Sequence, residues 1–411
     1  MSGYKIEHQC PQCGAPAILE ETDRLYKCTY CRVQSYLLRK NYFRYILPGK
    51  APAGKELFYV PYWRFKGMLF SSAGNTIFHR FIDASHQAVD SSSFPISVGL
   101  RSQTLKLKFV LPETKGLFLQ PTQPFEKVMQ IFKNRFNTGL PRPIYHQIHI
   151  GETLSMIYSP LYMDDKIMDG ILNRPITNQK PKGFDMADLP SKHPDNHIRF
   201  IAAICPGCGW NLDGHRDSLV LTCSNCQSAW RPGRGELRRL KINHIATKAK
   251  NVVYLPFWRI KAEVTDIDLA TFADLIRLAN LPKVIDKSWE TTEFYFWSSG
   301  FKVRHKDFLR LSRGLTLSQP RDNIIREMPA PAARLHPVTL PVTEAAQSMK
   351  IILASFAKPP QKILPRLNNI SIKPKSFLLV YIPFTEKHHD LVNAELNMGI
   401  NKNVLSFAGN L

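Results

Sequence analysis

The sequence predicts a strand-rich α+β chain organised as a tandem duplication. Each half carries a small four-cysteine module followed by a β-sheet domain with one packed helix. Three observations predict it. All eight cysteines fall in CxxC pairs, and the pairs group twice into the same arrangement. A second landmark, Phe58-Tyr-Val-Pro-Tyr-Trp-Arg-Phe-Lys66, returns as Val253-Tyr-Leu-Pro-Phe-Trp-Arg-Ile-Lys261 at the offset of 195 residues that also separates Cys10 from Cys205. Thirty prolines suit short, bounded strands and many turns better than long helices.

The cysteine modules come first in each half. One reads Cys10-Pro-Gln-Cys13-Gly, then Cys28-Thr-Tyr-Cys31; the other reads Cys205-Pro-Gly-Cys208-Gly, then Cys223-Ser-Asn-Cys226, with 14 residues between the inner cysteines in both. A CxxC folds into a tight knuckle that aims two sulfurs at one ion. Gly14 and Gly209 can take positive φ there and let backbone amides turn toward the thiolates. The intervening residues suffice for a hairpin that returns the second knuckle opposite the first. Four thiolates then close a tetrahedron at about 2.3 Å each, the arrangement of a rubredoxin-like zinc ribbon. Four cysteines leave no open coordination position, so the expected cofactors are two structural Zn2+ ions; iron of rubredoxin type is the rival metal. A redox CxxC would need a single pair beside a βαβ unit.

The landmark strand follows. Tyr59/Tyr254, Pro61/Pro256, Trp63/Trp258, Arg64/Arg259 and Lys66/Lys261 are identical pairs. Downstream, Gly99-Leu-Arg is matched with Gly300-Phe-Lys, and Gly116-Leu with Gly314-Leu. The pattern in Thr104-Leu-Lys-Leu-Lys-Phe-Val predicts half-buried strands. After Pro124, the residues Phe125, Val128, Met129, Phe132 and Phe136 mark one helical face; after Pro341, Ala345, Met349, Ile352 and Phe356 do the same. The longer second half predicts a further helix near residues 271–280. Each half closes on a strand with a Tyr-x-Pro core, Ile157-Tyr-Ser-Pro-Leu and Val380-Tyr-Ile-Pro-Phe. The resulting boundaries are a first ribbon with basic linker over 1–46, a β-rich domain over 47–176 and a polar connector over 177–196. A second ribbon with basic tail then occupies 197–241, and a second β-rich domain 242–411.

The formal charge is +22, from 55 basic and 33 acidic residues, which favours polyanionic partners: DNA, RNA or an acidic lipid surface. The basic residues concentrate after each ribbon. The first cluster is Arg32, Arg39, Lys40 and Arg44, interleaved with tyrosines; the second is Arg231, Arg234, Arg238, Arg239 and Lys241, following Trp230. Basic residues mixed with aromatics suit phosphate contact plus base stacking. A further pair of clusters holds Arg101, Lys106 and Lys108, then Lys302, Arg304, Lys306, Arg310 and Arg313. The N-terminus lacks a secretory signal, and no apolar run reaches the 18 or so residues of a membrane span. The expectation is therefore a cytoplasmic protein.

Catalytic motifs are absent: no phosphate-cradling glycine loop, no GxSxG elbow and no HExxH. His146/His149 and His193/His197 have ligand-like spacing without a third partner. Asp164, Asp165 and Asp169 read as a turn rather than a cation site. The aromatics of the landmark strand read as core, bent at proline, rather than as a stacking platform. Arg64 and Arg259 require a carboxylate or a ligand.

Ribbons of this form, followed by a Tyr-x-Pro-aromatic-Trp strand, resemble those of a loose group of bacterial tandem zinc-ribbon proteins. The resemblance rests on Cys10 to Cys31 with Tyr59 to Arg64, and on Cys205 to Cys226 with Tyr254 to Arg259, well under half of the chain. It implies the eight cysteines as metal ligands. Some members carry membrane spans and work with membrane-stress or membrane-remodelling proteins; this sequence has no span. The sequence reading is thus a non-catalytic zinc-binding module with nucleic acid as the favoured polyanion. The alternatives are a protein–protein adaptor, peripheral at an acidic membrane, and an enzyme with an unrecognised inter-domain site. A small-molecule substrate is not expected.

Overall fold

The computed structural model describes residues 4–38, 41–99, 105–178, 189–195, 198–233, 235–321, 324–330 and 333–406. The chain is mixed α+β and strand-rich, and it divides into two compact units. The first comprises Met1–Lys66, Ile82–Thr138 and Glu152–Ala202; the second comprises Gly67–Phe81, Gly139–Gly151 and Ala203–Leu411.

Most strands of the first half belong to one sheet. They are β1 (Lys5–Gln9), β2 (Pro16–Glu20), β5 (Phe43–Ile46), β6 (Leu57–Ala73), β7 (Thr76–Gln87), β8 (Leu107–Phe109) and β10 (Ile144–Met163), in the order β2-β1-β8-β5-β10-β6-β7. Two short strands join its flanks: β9 (Leu117–Phe118) on β6 and β11 (Ile167–Asp169) on β10. A separate three-stranded sheet places β4 (Gln34–Leu38) between β3 (Leu25–Lys27) and β12 (Arg199–Ala202). Strand β6 is buried along almost its whole length, as expected of a strand covered on both faces. Helix α1 (Phe125–Asn137) begins after Pro124 and buries Val128, Met129 and Phe132. These pack with Tyr59, Trp63, Phe65 and Tyr158. The landmark aromatics are therefore core: Tyr59 stacks on Phe118 at 4.7 Å, and the buried Trp63 donates its indole N–H to the Gln123 carbonyl at 2.8 Å.

The second unit opens with the sheet β13 (Leu221–Cys223), β14 (Ser228–Gly233) and β15 (Glu236–Leu240). Its main sheet contains β16 (Ile242–Ile245), β17 (Val252–Thr265), β18 (Phe296–Ser299), β19 (Ile324–Ile325) and β21 (Ser371–Lys387), ordered β18-β17-β21-β16-β19. Strand β20 (Arg334–Leu335) joins β17, and β22 (Asp390–Asn393) joins β21 and β23 (Met398–Asn401). Strand β16 runs parallel to β21, and β17 antiparallel to it. Met68, Phe70 and Ile150, from the segments before residue 152, are part of this core. Phe70 meets Phe308 at 5.9 Å, and the Gly151 amide donates to the buried Glu344 carboxylate.

The second half carries more helix than one packed element. The expected helix at 271–280 is α2 (Phe272–Ala279), opened by a Thr271/Asp274 capping box. The helix expected after Pro341 is two short ones, α4 (Val342–Gln347) and α5 (Met349–Phe356), joined at Ser348. Between α2 and α4 lies an unexpected helix, α3 (His305–Ser318), with Phe308, Leu311 and Leu315 on its buried face. The basic cluster from Lys306 to Arg313 hid this periodicity. Two residue matches are also corrected. Gly314 lies inside α3; the segment parallel to Tyr254 is Arg334–Leu335, as Leu117–Phe118 is parallel to Tyr59. Gly300 donates to the Pro256 carbonyl at 2.9 Å, and the residue that donates to Pro61 at the same distance is Ala88, not Gly99. Among the described residues no helix is long and apolar enough to cross a membrane.

Candidate metal centres

Three of the four knuckles are held by the same pair of backbone bonds. Cys10 donates to Ala15 and Gly14 to Cys10; Cys28 donates to Val33 and Arg32 to Cys28; Cys205 donates to Trp210 and Gly209 to Cys205. The residue after each second cysteine is left-handed: Gly14 at φ 72°, Arg32 at 61°, Gly209 at 75° and Gln227 at 48°. Glycine suits that conformation and takes it twice; Arg32 and Gln227 hold it against their Cβ.

The hairpins bring the four sulfurs of each set together. In the first, Cys10 lies 3.8 Å from Cys31 and Cys13 lies 3.7 Å from Cys28; in the second, Cys205–Cys226 and Cys208–Cys223 are both 3.5 Å. All ligand atoms within a quartet lie within 4.8 Å of one another. A tetrahedron with metal–sulfur bonds of about 2.3 Å has edges of about 3.8 Å, whereas a disulfide needs about 2.05 Å. The cysteines are free thiols, and the two quartets fit a four-coordinate ion.

The sulfurs within a quartet do not titrate alike. Hydrogen bonding from Tyr26, then from the Cys31 amide, brings Cys28 down to about 6. Cys31 is raised to about 12: the Val33 amide favours its thiolate, but burial and the adjoining sulfurs outweigh it. In the second quartet burial opposes ionisation of Cys205, yet the Ser228 hydroxyl and the Gly207 amide bring it to about 6. Burial leads in raising Cys223 to about 12. Four adjacent negative charges need a cation, so metal binding and full deprotonation are coupled.

Around the second quartet the Ser228 hydroxyl lies 2.9 Å from Cys226 Sγ and 3.7 Å from Cys205 Sγ. Trp230 donates its indole N–H to Ser228 Oγ at 2.8 Å. The sequence reading missed both residues. Their signal was period two: Cys226, Ser228 and Trp230 alternate toward one face as the chain enters β14.

The basic residues are dispersed more than their spacing suggests. Arg39, Lys40, Arg101 and Arg234 lie outside the described residues, as do 179–188 and 196 of the connector. Arg32 is exposed at its knuckle. Arg44 is half-buried with its guanidinium 4.5 Å from the Tyr42 ring. Arg231, Arg238, Arg239 and Lys241 are exposed. The pleat divides them: Arg231 stands opposite Arg238, while Arg239 stands opposite Trp230, which puts Arg239 on the other face. Arg238 also pairs with Glu236 at 2.8 Å.

Other candidates form no metal group. His146 and His149 belong to no cluster of three ligands among the described residues. Asp164 pairs with Lys55 at 2.8 Å, and the buried Asp169 accepts the amides of Ile171 and Leu172, closing a turn. Arg64 has its carboxylates, Asp83 at 2.6 Å and Glu21 at 3.8 Å. Arg259 instead lies 3.7 Å over the Tyr295 ring. Comparison with protein-family models, with curated proteins and with solved structures finds no match to this chain.

Proposed function

We propose that the chain is a duplicated, non-catalytic zinc-ribbon protein whose second ribbon binds polyanions, nucleic acid before others. The observation that carries this reading is the cross-strand pair Arg231–Arg238 on the hairpin that follows the second quartet. Like charges directly opposite one another destabilise a hairpin. Arg231 makes no ion pair among the described residues, and both side chains are exposed. A phosphate bridging them relieves the repulsion. Trp210, 59% exposed at the knuckle exit, offers a face for stacking.

Zinc is favoured over iron by chemistry rather than geometry: a closed four-thiolate site serves folding and needs no redox metal. The duplication is supported by matching strand neighbours, β5-β10-β6-β7 and β18-β17-β21-β16 read in reverse. It is supported again by the two tryptophans. Trp63 donates to Gln123 and Trp258 to Leu340, each carbonyl standing immediately before the proline that opens a helix. Membership of the bacterial tandem-ribbon group remains part of this reading.

The test is binding of labelled single-stranded and duplex oligonucleotides by fluorescence anisotropy as NaCl rises from about 50 to 200 mM. The reading expects a steep loss of affinity with salt. No binding at the lowest salt, or a flat salt dependence, overturns it. A second reading, a protein adaptor acting through the first ribbon, is favoured by the exposed Ile18, Tyr30 and Val33. It expects a stoichiometric protein partner whose capture is lost in Tyr30→Ala.

A further inference from the structure

The two quartets share their spacing but differ in what surrounds the sulfurs. In the second, Trp230 is a donor only, so its N–H occupies a lone pair of Ser228 Oγ and leaves the hydroxyl proton free to point elsewhere. The nearest acceptor is Cys226 Sγ at 2.9 Å, with Cys205 Sγ at 3.7 Å behind it. With Cys226 and Cys205 as metal-bound thiolates, which have no proton to give, the donation runs one way: indole to hydroxyl, hydroxyl to thiolate. Trp230 is itself buried, and a side chain added at Gly207, inside the knuckle that carries Cys205 and Cys208, would meet its ring at 3.7 Å.

The first quartet lacks this relay. Counting from its last cysteine, Val33 stands where Ser228 stands after Cys226, and Ser35 where Trp230 stands. Valine has no proton to give, and its side chain is exposed. Tyr26, on Cys28, is the side-chain donor there. A thiolate that accepts an oriented hydrogen bond carries less free charge and is held in ligating orientation. Removing such outer partners commonly weakens metal binding by about 10- to 100-fold.

We infer that the two centres hold their metal unequally: the Trp230–Ser228 relay makes the Cys205–Cys226 centre the retentive one, and the Cys10–Cys31 centre releases its ion first. This rests on the reading of both quartets as metal sites. Ser228 and Trp230 act as positioning residues, since neither ligates.

The experiment uses the full chain carrying zinc at both centres, challenged with a chromogenic chelator. Samples taken over time are pulsed with N-ethylmaleimide, and the labelled cysteines are located by mass spectrometry. The inference expects biphasic release, with Cys10, Cys13, Cys28 and Cys31 alkylated about tenfold faster than the other four. Ser228→Ala and Trp230→Phe should accelerate the slow phase toward the fast one and leave the fast phase unchanged. Equal rates in the unmodified chain, or earlier labelling of the second quartet, overturn the inference whether or not a variant folds. So does a slow phase indifferent to both substitutions. A chain that takes up no zinc removes the metal-site reading itself, and is told apart by immediate labelling of all eight cysteines before any chelator is added.

Discussion

The guanidinium of Arg64 lies 2.6 Å from the carboxylate of Asp83 in the interior of the first unit, where Arg64 is only 2% exposed. Glu21, immediately after β2, approaches the same guanidinium at 3.8 Å and also accepts the Ser155 hydroxyl. Tyr4 covers it at 4.6 Å. The arginine, on β6, thus holds β7 and the turn after β2 together through buried charge. Arg64→Met should destabilise the first unit by about 3–5 kcal/mol, because two carboxylates lose their partner. Arg259→Met, which removes a stacked and less buried cation, should have a smaller effect. Denaturant midpoints of the two variants, compared at equal slope, check the difference.

Removal of single ligands should separate the centres. On the zinc reading, Cys10→Ser and Cys205→Ser should each lower bound zinc from two equivalents to one, since a closed four-thiolate site has no spare donor. Zinc content by elemental analysis and loss of protease protection in the affected ribbon check it. Binding energy at such sites is folding energy, so the metal-free ribbon should be cleaved while the other resists.

The second unit should lose stability as the medium is acidified. Burial, then the neighbouring charge of His215, lowers His336 to about 4, and burial, then His79, lowers His305 to about 4. With both folded values below the ordinary 6.5, the unfolded chain takes up protons first. Their contribution is intact above about pH 6.5 and falls away as pH drops toward 4. His336→Phe should flatten the slope over that window. Urea midpoints measured at intervals from pH 7 to 4.5 check it, the unmodified chain showing the steeper fall.

Trp258→Phe should cost about 1–3 kcal/mol beyond the lost ring area, because the Leu340 carbonyl is left without the indole donor at 2.9 Å. Trp63→Phe should do the same to Gln123. Matching losses in the two units would agree with one inherited arrangement; a loss confined to one unit would speak against it.

The cysteine quartets were legible because their geometry is local: a CxxC knuckle and a return hairpin need no distant residue. The landmark strands were legible because a fixed offset of 195 carries both motifs. What failed depended on distance or on masking. Helix α3 was obscured by exposed basic residues interleaved in sequence with its apolar ones and by Gly314 within it. Nothing near Met68, Phe70 or Ile150 tells that these residues enter the second core rather than the first. Arg32 was read for its charge, whereas its φ of 61° marks it as a turn residue of the knuckle. The partners of Arg64 come from β7 and from the first ribbon, separations no periodicity spans.

The last prediction sets stability against binding in one residue. Arg231 and Arg238 oppose each other across the β14–β15 hairpin, so Arg231→Glu replaces a repulsive cross-strand pair with an attractive one. The hairpin should gain about 0.2–1 kcal/mol. On the polyanion reading the same change removes one phosphate contact and adds a repulsive charge, so oligonucleotide affinity should fall and the salt slope should shrink by about one. Arg239→Glu, on the opposite face beside Trp230, should leave the hairpin's stability nearly unchanged while reporting whether the knuckle face also meets the polyanion. The decisive measurement is the salt slope of each variant beside its thermal midpoint. An Arg231→Glu chain that is more stable and binds as before would show that the opposed arginines serve no anion.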